Sequence, residues 1–324
     1  MNSPGPRIPV SVIIPTLNCR EKLRRHLEQS SGWLGRVAEI IAIDSFSADG
    51  TWELLKAGLS GYPANLLQRE RGLYKSWNHA VSLATQPYVY FSTIGDIISV
   101  EGLDLLVRTA EKHGLEAVIS PPHIVDENRE EVGVKWPIHR LLEAITIPGD
   151  VIIPTEHERE MLSCYFMPES IIGSSASNVY KSRILKERPF PENMCHTGDV
   201  YWTIENLKKI KAGIIREKAA TFCWDGMRFL NHKHTFEQHG AMLDYLRGCA
   251  DGGFASAIAV AMHENINQIY RSLVACEEVE KPLKPILAIK RAWRHPYKVA
   301  KEAFLARWKK VSSHFTTIEQ NTSA

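Results

Sequence analysis

No pair of cysteines spaced C-x-x-C occurs in this sequence; its six cysteines, Cys19, Cys164, Cys195, Cys223, Cys249 and Cys276, are scattered along 324 residues. That spacing suggests neither a zinc site nor a disulfide framework, and reduced thiols in a reducing compartment are the expectation. No uncharged apolar run approaches the roughly 20 residues that span a bilayer. The opening Met1 to Arg7 lacks the apolar stretch of a secretion signal, so the chain reads as cytoplasmic. Charge of one sign is not in excess: 39 Lys and Arg stand against 37 Asp and Glu, which argues against nucleic acid as a partner. No G-x-G-x-x-G follows the first apolar run, where Pro15-Thr16-Leu17-Asn18 stands instead, and this disfavours a dinucleotide-dependent oxidoreductase.

What is present is a repeated transition from apolar to polar. Ile40-Ile41-Ala42-Ile43 runs into Asp44-Ser45-Phe46-Ser47-Ala48-Asp49-Gly50-Thr51. Val10 to Ile14 likewise ends in Pro15-Thr16-Leu17-Asn18, Asn65 to Gln68 in Arg69-Glu70-Arg71-Gly72, and Tyr88 to Phe91 in Ser92-Thr93-Ile94-Gly95-Asp96. The separations from Thr16 to Asp44, Asp44 to Glu70 and Glu70 to Asp96 are 28, 26 and 26 residues, each about one strand, one helix and two loops. Between them, Arg20 to Glu28, Asp49 to Ala57, Tyr74 to Ala84 and Val100 to His113 place apolar residues three and four apart, the helical period. The pattern predicts a mostly parallel, Rossmann-like α/β sheet flanked by helices. In such a sheet, ligands bind outside the carboxyl ends of the strands, where these polar turns fall.

The alternation occupies residues 8–120 and closes on Ala117 to Ser120 and Pro121-Pro122; this is the expected nucleotide-sugar-binding half. Residues 121–235 are irregular, with short elements expected at Val132 to Trp136, Ile171 to Lys181 and Asp199 to Lys209, as suits an acceptor-binding and catalytic half. Residues 236–311 form the expected helical, basic C-terminal extension. Between Lys281 and Lys310 stand ten Lys or Arg and one acid, Glu302, interleaved with Trp293, Tyr297, Phe304 and Trp308. A solvated helix face accounts for such a run; so does a segment lying on an anionic membrane, the peripheral inner-face reading favoured here.

Four places resemble glycosyltransferase family 2, the inverting, GT-A fold enzymes that use nucleotide-diphosphate sugars. Val12 to Asn18 is similar to the family's first strand and loop, and Asp44 to Thr51 to its second. Gly72-Leu73-Tyr74-Lys75-Ser76-Trp77-Asn78 resembles a Gly-hydrophobic-Tyr-x-x-x-Asn turn of many members. The fourth strand of members ends in Asp-x-Asp or Asp-Asp, whereas this chain has Ile94-Gly95-Asp96. By the resemblance Asp96 is the metal ligand, for Mg²⁺ or Mn²⁺, since a cation bridged by a diphosphate needs only one or two protein carboxylates. The bland alternative makes Asp96 the cap of the helix starting near Val100. Thr16, Asn18, Asp44, Ser45, Arg71, Gly72, Asn78, Gly95 and Asp96 are then the expected nucleotide-sugar contacts.

The resemblance also places a catalytic acid downstream. Members carry it, commonly in a Glu-Asp pair, before a helix that follows a Phe-Asp/Pro-Glu stretch. Here Phe190-Pro191-Glu192 precedes Gly198-Asp199, and Asp199 is the expected base, the alternative being an acid that complements a helix dipole. Two weaker candidates are Gly173 to Asn178, a floor for a sugar or simply a loop, and Asn231-His232-Lys233-His234, whose two histidines at i, i+2 cannot share a helical face. The implied activity is inverting transfer of a sugar from a UDP-sugar, or another nucleotide-diphosphate sugar, to a glycan or lipid-linked acceptor in cell-surface polysaccharide biosynthesis. The rival is a catalytically inactive nucleotide-sugar-binding protein, suggested by the two missing carboxylates.

Overall fold

A computed structural model describes residues 7–144, 149–165, 170–194, 197–224 and 316–317. The strands are β1 (Ile8–Thr16), β2 (Val37–Asp44), β3 (Ala64–Gln68), β4 (Tyr88–Phe91), β5 (Ile97–Ile98), β6 (Ala117–Ile119), β7 (His123–Val125), β8 (Val151–Ile153), β9 (Asn178–Lys181), β10 (Ala212–Ile215), β11 (Ala220–Cys223) and β12 (Thr316–Thr317). The helices are α1 (Arg20–Leu34), α2 (Thr51–Gly58), α3 (Leu73–Leu83), α4 (Val100–His113), α5 (Pro137–Ala144), α6 (Glu156–Tyr165), α7 (Ser182–Glu187) and α8 (Gly198–Asn206).

One sheet of nine strands runs β12-β8-β10-β6-β9-β4-β1-β2-β3, and a small one runs β5-β11-β7. Pairs β1–β2, β2–β3, β1–β4 and β6–β10 are parallel, whereas β9 is antiparallel to both β4 and β6. Register brings Thr16 opposite Asp44 and Asp44 opposite Gln68, so the first three strands end level at one edge. The boundary expected at residue 120 is therefore no break in the sheet, because β9 from the second half lies between β4 and β6 of the first.

Both faces of the sheet are covered, and the strand sequences show why. Along β1, Val10, Val12 and Ile14 pack with α1, α2 and α4 through Leu23, Leu27, Leu55, Leu103 and Leu106. Ile13 points to the other face and joins Trp77, Phe91, Tyr180, Phe190 and Trp202 from α3, β4, β9, the loop before α8 and α8. A strand with two buried faces must be apolar at consecutive positions, as Ile40 to Ile43 is. The cluster on the second face is aromatic, with Trp77 stacked on Phe91 at 4.2 Å and Phe190 edge-on to Phe91 at 5.7 Å.

Two expectations change. No helix or strand spans Val132 to Trp136; the helix begins at Pro137, whose fixed φ suits a first helical turn. The segment from Ile171 is a tight turn and a short 3₁₀ stretch, Ser175–Ser177, before β9. The helical extension 236–311 and Asn231 to His234 lie outside the described residues.

Candidate active site

Asp44 ends β2 as a fully buried carboxylate. Its Oδ1 accepts from Thr16 Oγ1 at 3.0 Å and Ser47 Oγ at 2.5 Å. Oδ2 accepts from the Ser47 amide at 2.9 Å and Gln68 Nε2 at 3.0 Å. One side chain thus fastens the ends of three adjacent strands, with four donors offsetting the desolvation of its charge. Around it, the Ser45 amide donates to the Thr16 carbonyl at 2.9 Å, and Asn18 Oδ1 accepts from the Ala48 amide at 2.9 Å. Thr16, Asn18, Asp44 and Ser45 therefore meet at one edge.

Within this clasp Phe46 adopts φ +52° and stays 60% exposed. A bulky residue in the left-handed region carries strain of order 1 kcal/mol or more, and the surrounding hydrogen bonds hold it there. Leu17 and Leu73, the other exposed large hydrophobics among the described residues, follow β1 and β3 at the same edge. Arg71 is exposed on the loop after β3, and Gly72 precedes α3. Asn78 is used differently from the expectation. Its amide brackets Phe190, donating to the carbonyl at 2.8 Å and accepting from the amide at 2.9 Å, and reaches Glu192 Oε1 at 3.2 Å.

Asp96 lies one strand over. The loop after β4 turns through Gly95 at φ +106°, a conformation that L side chains rarely adopt. It leaves Asp96 6% exposed, with Oδ2 accepting from Ser174 Oγ at 3.3 Å and Oδ1 from the Cys223 amide at 3.2 Å. The helix-cap alternative fails, because Ser99 caps α4 by accepting from the Gly102 amide at 3.0 Å. Ser174 belongs to the Gly173–Asn178 segment, and Trp136 backs that segment: its ring sits where a Cβ on Gly173 would fall and packs edge-on to Phe222 at 4.5 Å. Beneath the loop, His26 of α1, 2% exposed, meets Ser92 Oγ at 2.9 Å; burial lowers this imidazole to about 4, so the ring is neutral.

Asp199 stands in the first turn of α8, on the aromatic face of the sheet. The Tyr74 hydroxyl donates to Asp199 Oδ1 at 3.2 Å and accepts from the Asp199 amide at 3.0 Å. The Val200 amide also donates to Oδ1, at 2.8 Å, and among the described residues no hydrogen bond falls on Oδ2. The carboxylate keeps a partial opening to solvent, yet the packing around it desolvates the charge and raises its pKa to about 6, against the pull of the Val200 amide and the Tyr74 hydroxyl. Burial and the neighbouring carboxylate push the Tyr74 phenol well above its usual range. Gly198, in place of the expected Glu, has a steric cause here: its Cβ would come within 2.4 Å of the Tyr74 ring.

Sequence reasoning missed Ser47, Gln68 and Tyr74 as site residues. Tyr74 stood inside the Gly-hydrophobic-Tyr-x-x-x-Asn turn, and its place in that turn was the available signal. Ser47 stood three residues from Asp44 in the same turn, and Gln68 becomes visible only when β2 and β3 are paired.

The family model for glycosyl transferase family 2 matches residues 11–163. Residues 11–163 are thus similar to glycosyl transferase family 2. The chain also aligns with EpsE of Bacillus subtilis (strain 168), 31% identical over 153 residues, which are 46% of this chain and 52% of EpsE. The chain thus spans about half the length of that curated relative. S. aureus TarS residues 1–349, crystallised in complex with UDP-GlcNAc, superposes with a TM-score of 0.55 at 17% identity, over 80% of this chain and 70% of that one. Mannosyltransferase PcManGT from Pyrobaculum calidifontis, in complex with GDP-Man and Mn²⁺, gives 0.54 at 15% identity, over 96% and 89%. The likeness to these structures shows the GT-A fold.

Asp44→Asn tests the clasp. An amide at the Oδ2 position points hydrogens at the Ser47 amide and Gln68 donors, so urea unfolding should register a loss of about 1–3 kcal/mol. A midpoint equal to that of the parent would mean that the loops hold together without Asp44.

Proposed function

We propose that this chain is an inverting glycosyltransferase that moves a sugar from a nucleotide-diphosphate sugar, UDP-linked by preference, to a hydroxyl of a glycan or lipid-linked acceptor. The observation that carries the reading is Asp199, held by hydrogen bonds on Oδ1 and left with Oδ2 for an incoming group. A general base works best when its pKa lies near the operating pH, and about 6 leaves Asp199 ionised at neutrality. In the proposed step the acceptor hydroxyl passes its proton to Asp199 Oδ2. The acceptor oxygen forms the new bond to the anomeric carbon, and the bond to the diphosphate oxygen breaks with its electron pair leaving on the nucleotide.

The donor end falls to the strand edge. Thr16, Asn18, Asp44 and Ser45 frame the nucleoside, with Arg71 and Gly72 flanking it. For a divalent cation the fit is favourable. Asp96 is a nearly buried carboxylate that accepts from the Ser174 hydroxyl and the Cys223 amide. That donor set suits Mg²⁺ or Mn²⁺ completed by phosphate oxygens and water. The ion, when bound, stabilises charge developing on the departing diphosphate.

Thermal shift against UDP-glucose, UDP-GlcNAc and GDP-mannose, with and without Mn²⁺, should identify the donor, because ligands of the native state raise Tm. Asp96→Ala should abolish the Mn²⁺-dependent part of that shift. Asp199→Asn should keep it while lowering transfer by about 10²-fold or more. Full turnover in Asp199→Asn would move the base elsewhere, and a shift indifferent to Mn²⁺ and EDTA would remove the metal. Donor binding without release of nucleoside diphosphate under any condition would favour the inactive, sugar-nucleotide-binding rival.

The basic aromatic stretch from Lys281 to Lys310 supports a peripheral place on an anionic membrane. Each basic residue near such a surface contributes about 1 kcal/mol, fading as salt shortens the Debye length. The full chain should sediment with phosphatidylglycerol vesicles at low salt, and a chain ending before Glu280 should not. Equal sedimentation of both would assign the stretch to packing.

A further inference from the structure

We infer that Tyr74 is the positioning residue of the transfer site: its hydroxyl, bonded to both the carboxylate and the backbone amide of Asp199, fixes which oxygen of Asp199 faces the acceptor. This rests on the reading of Asp199 as the base. A phenol has one proton to give and lone pairs to receive. Tyr74 uses both on a single residue 125 positions away, giving to Oδ1 at 3.2 Å and receiving from the amide at 3.0 Å. The amide lies in the first turn of α8, where a helix has no partner of its own for its N–H groups. The same hydroxyl therefore caps the helix and locks the side chain it carries.

The ring is equally constrained. Trp77 meets it edge-on at 5.3 Å and Phe190 stacks on it at 5.6 Å. A Cβ on Gly198 would fall 2.4 Å from it, so ring and side chain at 198 exclude each other. The exchange matters chemically. A carboxylate beside Asp199 would oppose its ionisation by like charge, whereas a phenol donating to Oδ1 favours the ionised form. Tyr74 keeps its own proton, because burial holds the phenol well above its ordinary range. The acceptor's proton accordingly ends on Oδ2, and Tyr74 orients without entering the transfer. The titratable groups that face Asp199 among the described residues are Tyr74 on α3 and Tyr180 on β9, both neutral phenols.

The test is a site-resolved titration of the full chain. With ¹³C-labelled aspartate, the carboxyl signal missing in Asp199→Asn identifies Asp199. Its midpoint should rise by about half a unit to one unit in Tyr74→Phe, the titration equivalent of one lost hydrogen bond. With the donor found by thermal shift, kcat should fall about 10-fold, as for a barrier raised by one such bond. Donor KM should stay within about 2-fold, and the acid limb of the pH profile should move up with the midpoint. Should Tyr74→Phe not fold, the parent protein still decides. Of its ten tyrosines, the one whose Cζ signal follows the Asp199 titration, and loses that response in Asp199→Asn, should be present; flat Cζ signals overturn the proposal. Equal Asp199 midpoints in parent and a folded Tyr74→Phe also overturn it. A moved midpoint with full transfer in Asp199→Asn keeps the Tyr74 hold and discards the base assignment. An unmoved midpoint with transfer lost in Asp199→Asn does the reverse.

Discussion

The structure depends first on a buried carboxylate. Asp44 sits at the level where β1, β2 and β3 end, and its four hydrogen bonds turn three strand ends and the loop after β2 into one rigid edge. Parallel strands alone would bring those loops near one another, but near is not fixed. Because a buried charge tolerates no missing donor, Thr16, Ser47 and Gln68 each have one allowed place. Phe46 can then be kept strained and exposed, and the loop after β4 has a firm neighbour to lie against. Preorganisation of this kind is what a site for a charged diphosphate needs, since loops that must still be ordered subtract from binding.

The second organising element is the aromatic face. Trp77, Phe91, Phe190 and Trp202 tie α3, β4 and α8 into one block, and Tyr74 stands at its rim. Asn78, one helical turn from Tyr74, clamps the Phe190 backbone from the same helix. The strand edge around Asp44 and the carboxylate of Asp199 are thereby built by opposite routes: buried polar bonds on one side, ring packing on the other. The segment carrying Ser174 and Tyr180 joins the two, since Asn178 Nδ2 donates to the Ser174 carbonyl at 2.9 Å and to Tyr180 at 3.4 Å.

The sheet was legible where one physical signal dominated. Ile40 to Ile43 cannot be anything but a strand buried on both faces, and Val100 to His113 carries the helical period between Ser99 and Gly114, so its limits matched to the residue. Val132 to Trp136 misled because its alternating Val132, Val134 and Trp136 are only half-buried, and its pairing with β7 goes no further than the Val125–Glu131 bridge and the Val132 amide, which donates to the Ile124 carbonyl at 3.0 Å. Asn78 was assigned to the donor by its place in a motif; its amide faces a backbone more than 100 residues downstream, which no local pattern encodes. The sequence favoured Asp96 as a ligand and left a helix-cap alternative open beside it. The choice between them needed Ser99, whose hydroxyl does the capping.

Asp199 and His26, whose titration burial shifts in opposite senses, also shape how stability answers to pH, and they oppose each other. Asp199 binds its proton more tightly folded than unfolded, so its contribution falls as pH rises from about 4 toward 6. His26 is lowered to about 4 against an ordinary value near 6.5, so its contribution falls as pH drops through that same window. One group loses while the other gains, so the contributions of these two to the slope of stability between pH 4 and 6 oppose each other. A flat unfolding profile there is therefore compatible with both carboxylate and imidazole titrating fully. The reason lies in their placement: Asp199 is a carboxylate desolvated beside Tyr74 at the start of α8, and His26 is a neutral ring, desolvated where it meets Ser92 under the Asp96 loop.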